Sequence, residues 1–223
     1  MASRLVHASR LYVIDYGSGN LRSVQKAFEH VGVEAEVGSD PERVRQASGL
    51  VLPGVGAFGP AMEQLERRGL VEPIKERVEA GVPFLGVCLG LQLLFEQSQE
   101  NPGVAGLGLL HGDVRLLPAG VKVPHIGWNQ IEAMAESDLL EGIPDGSAFY
   151  FVHSYVVVPT RPADVLTVTD YGVTFASGIE FENVAAFQFH PEKSSTLGLR
   201  LYRNFARRVG APGLATPARG GDF

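Results

Sequence analysis

The stretch Pro83-Phe84-Leu85-Gly86-Val87-Cys88-Leu89-Gly90-Leu91-Gln92-Leu93-Leu94-Phe95-Glu96 decides how the rest of the chain is read. Phe84 to Val87 is an uninterrupted apolar run, the kind that forms a strand buried on both faces of a parallel sheet. Leu89, Gln92, Leu93 and Glu96 then recur at helical spacing, so a strand is expected to turn into a helix at Cys88. Gly86 and Gly90 leave room for a sharp turn, the arrangement that in Gly-x-Ser-x-Gly hydrolases lifts a nucleophile above the sheet. Amide hydrogens of the helix's first turn would favour a thiolate at this point. The competing reading is a buried structural cysteine, the commoner fate of a lone thiol, and position alone leaves the two evenly matched.

Upstream, the same alternation repeats. Arg10 to Asp15 reads as a strand, Tyr16-Gly17-Ser18-Gly19-Asn20 as a loop ending in a helix cap, and Leu21 to Val31 as an amphipathic helix. Val33 to Val37 and Gly49 to Leu52 read as strands, Pro41 to Ala47, Pro60 to Arg68 and Val71 to Ala80 as helices. Alternating β and α units predict an α/β fold, a single domain built on an open, mostly parallel sheet flanked by helices. Past Gln99 the helical period vanishes. Runs at Val114–Leu117, Trp128–Ile131, Ala148–Val152, Tyr155–Val158, Val165–Thr169, Val173–Ile179 and Val184–Phe189 predict added antiparallel strands, and Thr196 to Val209 a closing helix. Residues 1–210 are read as this one domain, with Ala211 to Phe223, rich in Gly, Ala and Pro, as a disordered tail.

Composition narrows the function classes. Of 223 residues 45% are hydrophobic and 20% charged, ordinary for one globular domain able to build its core without staples. One cysteine cannot form an internal disulfide, and the first ten residues hold no apolar run fit for a signal peptide, so a cytoplasmic protein is expected. The most apolar region, Phe84 to Phe95, falls short of the ~20 residues a membrane span needs. A net charge of -6 without a block of Lys and Arg argues against nucleic acid as a partner.

A cysteine nucleophile needs a base, and the base an orienting group. His190 follows the run Val184 to Phe189 and opens His190-Pro191-Glu192-Lys193-Ser194; Pro191 ends the strand, and the Glu192 carboxylate can hold the second ring nitrogen. Alone, His190 and Glu192 read as a loop histidine beside a solvated acid; joined to Cys88 they make a triad. Oxyanion donors would be the Leu89 amide and an amide from Gly54-Val55-Gly56, at the tip of the preceding strand. Two glycines around Val55 would let that loop move. Gly54 to Gly59 also fits Gly-x-Gly-x-x-Gly, but the acidic residue a dinucleotide site wants ~20 positions on is missing from a strand end. No two histidines lie four apart, and one thiol makes no cluster, so neither metal nor cofactor is expected. Phe149 and Phe151 alternate like core residues, whereas Trp128, Tyr150, Ser154 and Tyr155 carry polar handles suited to a pocket or an interface.

These segments together resemble the class I (triad) glutamine amidotransferases, most closely glutaminase subunits that serve histidine biosynthesis. The likeness spans about Leu11 to Arg207. Gly86-Val87-Cys88-Leu89-Gly90 and His190-Pro191-Glu192 carry the superfamily; Asp15 to Leu21, Leu52 to Gly59, Pro124-His125-Ile126-Gly127-Trp128-Asn129 and Phe151-Val152-His153-Ser154-Tyr155 carry the branch. The resemblance implies a flavodoxin-like fold in which Cys88 attacks the side-chain amide of glutamine, His190 moves protons, Glu192 orients it, and Val55 and Leu89 hold the oxyanion. It assigns Gly54, Gly56, Gln92, Ser154, Tyr155 and, more weakly, Glu100 to the substrate. It also implies a (β/α)8-barrel cyclase subunit that receives the ammonia, with Asn20, Trp128, Tyr150 and Lys193 near that partner. The basic flank Met1 to Arg10 and the tail depart from the compact family pattern. Two other readings stay open: the glutaminase of pyridoxal phosphate or anthranilate synthesis, and a non-catalytic interaction subunit of the same fold.

Overall fold

Four apolar runs lie side by side and carry buried residues on alternate faces. The computed structural model describes residues 11–211. In it β1 (Leu11–Ile14), β2 (Ala35–Gly38), β3 (Gly49–Gly54), β4 (Phe84–Cys88) and β13 (Val184–Phe187) run parallel in the order β2-β1-β3-β4-β13. That is the flavodoxin-like order of neighbours. Leu11, Val13, Val51, Leu85, Val87 and Phe187 face one apolar layer, and Tyr12, Ile14, Leu50, Leu52, Phe84 and Val184 the other. Both faces are covered, which is why these strands read as continuous apolar runs instead of alternating ones.

Helices seal the two faces. α1 (Leu21–His30) and α6 (Ser195–Arg208) place Val24, Phe28, Leu201, Tyr202 and Phe205 on the first layer. α2 (Pro41–Gln46), α3 (Phe58–Arg67) and α4 (Val71–Glu79) place Val44, Met62, Leu65 and Ile74 on the second. Asp40 caps α2 by accepting from the Glu42 amide at 2.9 Å, with Pro41 in the first turn where its missing N–H is not needed.

Beyond β13 the sheet becomes antiparallel. β12 (Thr174–Phe181) pairs with β13, β10 (Tyr155–Pro159) with β12, and β6 (Gly112–Leu116) with β10; β5 (Gln97–Ser98) lies parallel to β6 at the edge. β11 (Val165–Asp170) joins β12 and the short β8 (Glu132–Ala133). A separate ribbon of β7 (His125–Gln130) and β9 (Ala148–His153) carries Phe149 and Phe151, both fully buried as their alternation predicts.

Four expectations need correction. The helix after Cys88, α5, spans only Leu89–Gln92. Its expected continuation is taken over by the loop at 106–110: the amides of Gly106, Leu107, Gly108 and Leu109 bond to the carbonyls of Glu96, Leu93, Phe95 and Leu94. Strand β13 stops at Phe187, because the chain leaves β4 and the His190 amide bonds instead to the Tyr150 carbonyl at 2.9 Å. Asn20, expected to cap α1, makes no cap with its side chain. Ala211, the first residue of the expected tail, is buried and bonds to the Ala206 carbonyl at 3.2 Å; the rest of the tail and Met1 to Arg10 lie outside the described residues. Among the described residues no helix is long and apolar enough to cross a membrane.

Candidate active site

Strand ends place the chemistry. In the register of β3 and β4, Gly54 stands opposite Cys88, so the glycine loop and the thiol share one sheet edge. Cys88 takes the positive φ of the turn itself, at 56° with ψ of -108°, a region costing a non-glycine residue roughly 1–3 kcal/mol. The flanking glycines therefore supply space and not φ: a Cβ at Gly90 would sit 1.8 Å from the Leu52 carbonyl oxygen, and one at Gly86 3.0 Å from Ala186. The sulfur lies 3.8 Å from the Val152 carbonyl oxygen and 3.8 Å from Nε2 of Gln188.

The turn after β13 brings His190 and Glu192 together. Nδ1 of His190 lies 2.8 Å from Oε1 of Glu192, and both side chains are almost wholly buried. The carboxylate is held further by Tyr202, whose hydroxyl donates to Oε2 at 3.3 Å, and by Asn20, whose Nδ2 donates to Oε1 at 3.5 Å. That contact is where the Asn20 side chain goes in place of a helix cap. Burial opposes a charge on the His190 ring, but the Cys88 sulfur and the Glu192 carboxylate outweigh it and push the pKa up to about 10. Nε2 is buried without a hydrogen bond among the described residues, while the Cys88 sulfur lies close enough to raise the pKa of the ring.

A cavity of about 370 Å³ opens over this pair, its wall including Val55, Gly56, Cys88, Leu89, Gln92, Glu100, Ser154, Tyr155, His190 and Lys193. Of the residues assigned from the sequence to oxyanion and substrate, Gly54 alone is not on the wall; it lies behind, where a Cβ would meet Tyr16, Leu89 and Gly90. Gln92 spends its amide on the Tyr155 carbonyl at 3.1 Å and on Oε1 of Gln188 at 3.2 Å. Glu100 lines the cavity while its carboxylate accepts from the Phe58 amide at 2.8 Å, at the start of α3. Ser18 donates to the Val55 carbonyl at 2.6 Å.

The residues assigned to a partner fall into two places. Trp128, 56% exposed, stands edge-on to Tyr150 with ring centres 6.1 Å apart, and the Lys193 ammonium lies 5.8 Å from the Tyr150 ring centre. Backbone bonds tie this cluster to the segment around His190, since Tyr150 accepts from the His190 amide and gives its own amide to Ser194 Oγ at 3.0 Å. Asn20 is instead engaged with Glu192.

Sequence reading missed three participants. Gln188 was hidden inside an apolar run; a polar residue there needs a buried partner, and that was the signal. Tyr202 sat inside the amphipathic pattern of the last helix with nothing to mark its hydroxyl. His153 falls within Phe151 to Tyr155, and nothing in the sequence marks a role for it. Its Nδ1 donates to the Tyr155 carbonyl at 3.0 Å, which leaves Nε2 to accept from Nδ1 of His125 at 3.0 Å. Burial, the neighbouring His125 and the charge at His190 lower the His153 pKa to about 3. Among the described residues no group of three or more His, Cys, Asp or Glu side chains is gathered to hold a metal ion.

The sequence matches the family described as glutamine amidotransferase class-I over residues 12–209. It is 59% identical over 201 residues to the imidazole glycerol phosphate synthase subunit HisH of Aquifex aeolicus, covering 90% of this chain and 97% of that one. The subunit of the same name from Moorella thermoacetica is 53% identical over 197 residues, 88% of this chain and 94% of that one. Among solved structures, one described as a glutamine amidotransferase superposes with a TM-score of 0.70 at 23% identity, over 89% of this chain and 98% of that one. PurLQS from Thermotoga maritima gives 0.71 at 19% identity, over 90% and 98%. At such identity these two likenesses speak for the fold.

Proposed function

The chain belongs to the class-I glutamine amidotransferase family, and from that premise we propose that it is the glutaminase subunit of an imidazole glycerol phosphate synthase. Cys88 is the nucleophile. Its sulfur attacks the side-chain carbonyl carbon of glutamine, and the carbonyl oxygen becomes an oxyanion facing the amides of Leu89 and Val55. His190 gives a proton to the departing nitrogen, ammonia leaves, and a glutamyl thioester remains. His190 then takes a proton from water, which attacks the thioester and releases glutamate with the sulfur restored. Glu192 fixes the ring so that Nε2 faces the sulfur. Gln92, Ser154, Tyr155 and Glu100 bind the substrate, with Gly54 and Gly56 giving the loop its shape.

Ammonia passes to a (β/α)8-barrel cyclase subunit, which forms imidazole glycerol phosphate and AICAR in histidine biosynthesis, a lyase activity of the pair. Trp128, Tyr150 and Lys193 serve as the docking cluster and Asn20 as the link from that side to Glu192. We place the complex in the cytoplasm, in keeping with the lone thiol. The observation that carries the reading is the gathering of Cys88, His190 and the glycine loop around one cavity, with Glu192 buried behind the ring.

The deciding experiment measures glutamate formed from glutamine by the chain alone and with the cyclase and its phosphoribulosyl formimino substrate. Turnover should rise with the partner and vanish in Cys88→Ala. Full turnover by that variant ends the mechanism, and failure to bind a barrel cyclase ends the assignment to histidine biosynthesis.

A further inference from the structure

Tyr16 is a fully buried tyrosine whose hydroxyl has no hydrogen-bond partner among the described residues. A buried hydroxyl left unsatisfied costs stability, and phenylalanine would fill the same space without that cost. The position of the hydroxyl is specific. A Cβ built on Gly54 would lie 2.4 Å from it and 2.9 Å from Cβ of Leu89, so the hydroxyl is pressed against the Gly54 backbone, beside the turn that follows Cys88.

The loop it touches is built to turn. On one side of Val55, Gly54 is held in the β3 ladder opposite Cys88; on the other, Gly56 takes a φ of +99°, open only to glycine at little cost. The Val55 carbonyl is anchored by Ser18, outside the cavity's chemistry. Turning the peptide between Gly54 and Val55 moves the Gly54 carbonyl oxygen and the Val55 N–H in opposite directions. In one orientation the oxygen would come to the Tyr16 hydroxyl and the N–H would point the opposite way, and Val55 lines the cavity.

We propose that the Tyr16 hydroxyl donates to the Gly54 carbonyl oxygen when this peptide turns, and so holds the Val55 amide in the orientation that receives the oxyanion. Tyr16 is then a positioning residue for amide cleavage. Burial and the charge of the nearby Cys88 both keep the phenol protonated, as a donor must be. The role rests on the glutaminase reading above.

The test is Tyr16→Phe in the full-length chain complexed with the cyclase and its substrate. Glutamate production should show kcat reduced about tenfold at unchanged KM, the loss of one hydrogen bond formed on the way to the transition state. The melting temperature should stay the same or rise, since the resting fold loses no bond, and Cys88 should react with iodoacetamide at the wild-type rate. A kcat within about twofold of wild type overturns the proposal. So does a lowered melting temperature or an unfolded variant, because the hydroxyl would then serve the resting fold. The two readings fail separately: a wild-type complex that makes no glutamate defeats the glutaminase reading, whereas an active wild type matched by Tyr16→Phe defeats this role alone.

Discussion

Gly90 approaches Leu52 so closely that any side chain at residue 90 would collide with the Leu52 carbonyl oxygen, a Cβ lying 1.8 Å from it. The turn after Cys88 is thus fastened against the neighbouring strand by the absence of an atom. Because the obstacle is backbone on a central strand, it cannot move aside. Gly90→Ala should lower unfolding free energy by about 3 kcal/mol or more in urea titration. Gly86→Ala, whose Cβ would meet Ala186 and Gly90 at 3.0 Å, should cost about 1–2 kcal/mol.

Glu192 should matter to rate more than to binding. Glu192→Gln keeps the volume and removes the charge that supports the His190 imidazolium, so kcat should fall about 100-fold with little change in KM. That carboxylate is one of the causes holding the His190 pKa up at about 10. Its loss should bring the alkaline limb of the kcat profile to lower pH, because the ring that protonates the leaving nitrogen discharges sooner. Tyr202→Phe, which removes one donor to the same carboxylate, should cost only a few-fold.

Acid should loosen the fold through His153. Its folded pKa is lowered to about 3 against 6.5 unfolded, so between those values the unfolded chain holds a proton the native one lacks. Stability then falls as pH drops from about 6.5, by up to about 1.4 kcal/mol per pH unit from this ring, and His125, lowered by burial, adds in the same sense. His190 has the opposite sign: its contribution is complete below about 6.5 and is lost as pH rises through about 10. Denaturant midpoints at pH 7 and pH 5 test the acid side, and His153→Gln should show the smaller difference between them.

Docking should depend on the aromatic cluster of the β7–β9 ribbon. Trp128 is exposed and held edge-on by Tyr150, a rigid amphipathic anchor of the type that dominates interfaces. Trp128→Ala should weaken binding of the cyclase about 10- to 100-fold by calorimetry while leaving the melting temperature of the free chain within a few degrees.

Much of this protein was legible in its sequence, for reasons that are local. A strand covered on both faces must be apolar throughout, so Phe84 to Val87 announced a parallel sheet; a helix must repeat near 3.6 residues, so α1, α3 and α6 were visible. The thiol between two glycines and the His190-Pro191-Glu192 turn are likewise written in consecutive residues. The helix after Cys88 was overestimated for the same reason: leucines that continue a helical period are also what a buried turn uses once the 106–110 loop supplies its hydrogen bonds.

The sequence by itself determined which residues are candidates to attack, shuttle protons and orient, and that Cys88 would sit at the end of a sheet strand. Tertiary structure alone decided that Asn20 and Tyr202 hold the Glu192 carboxylate, that Gln188 points at the sulfur, and that the Tyr16 hydroxyl lies against Gly54. Those contacts join segments far apart in the chain, and a hydrogen bond tolerates only a few tenths of an ångström. Strand register and helix packing set positions that finely; the order of residues along the chain does not.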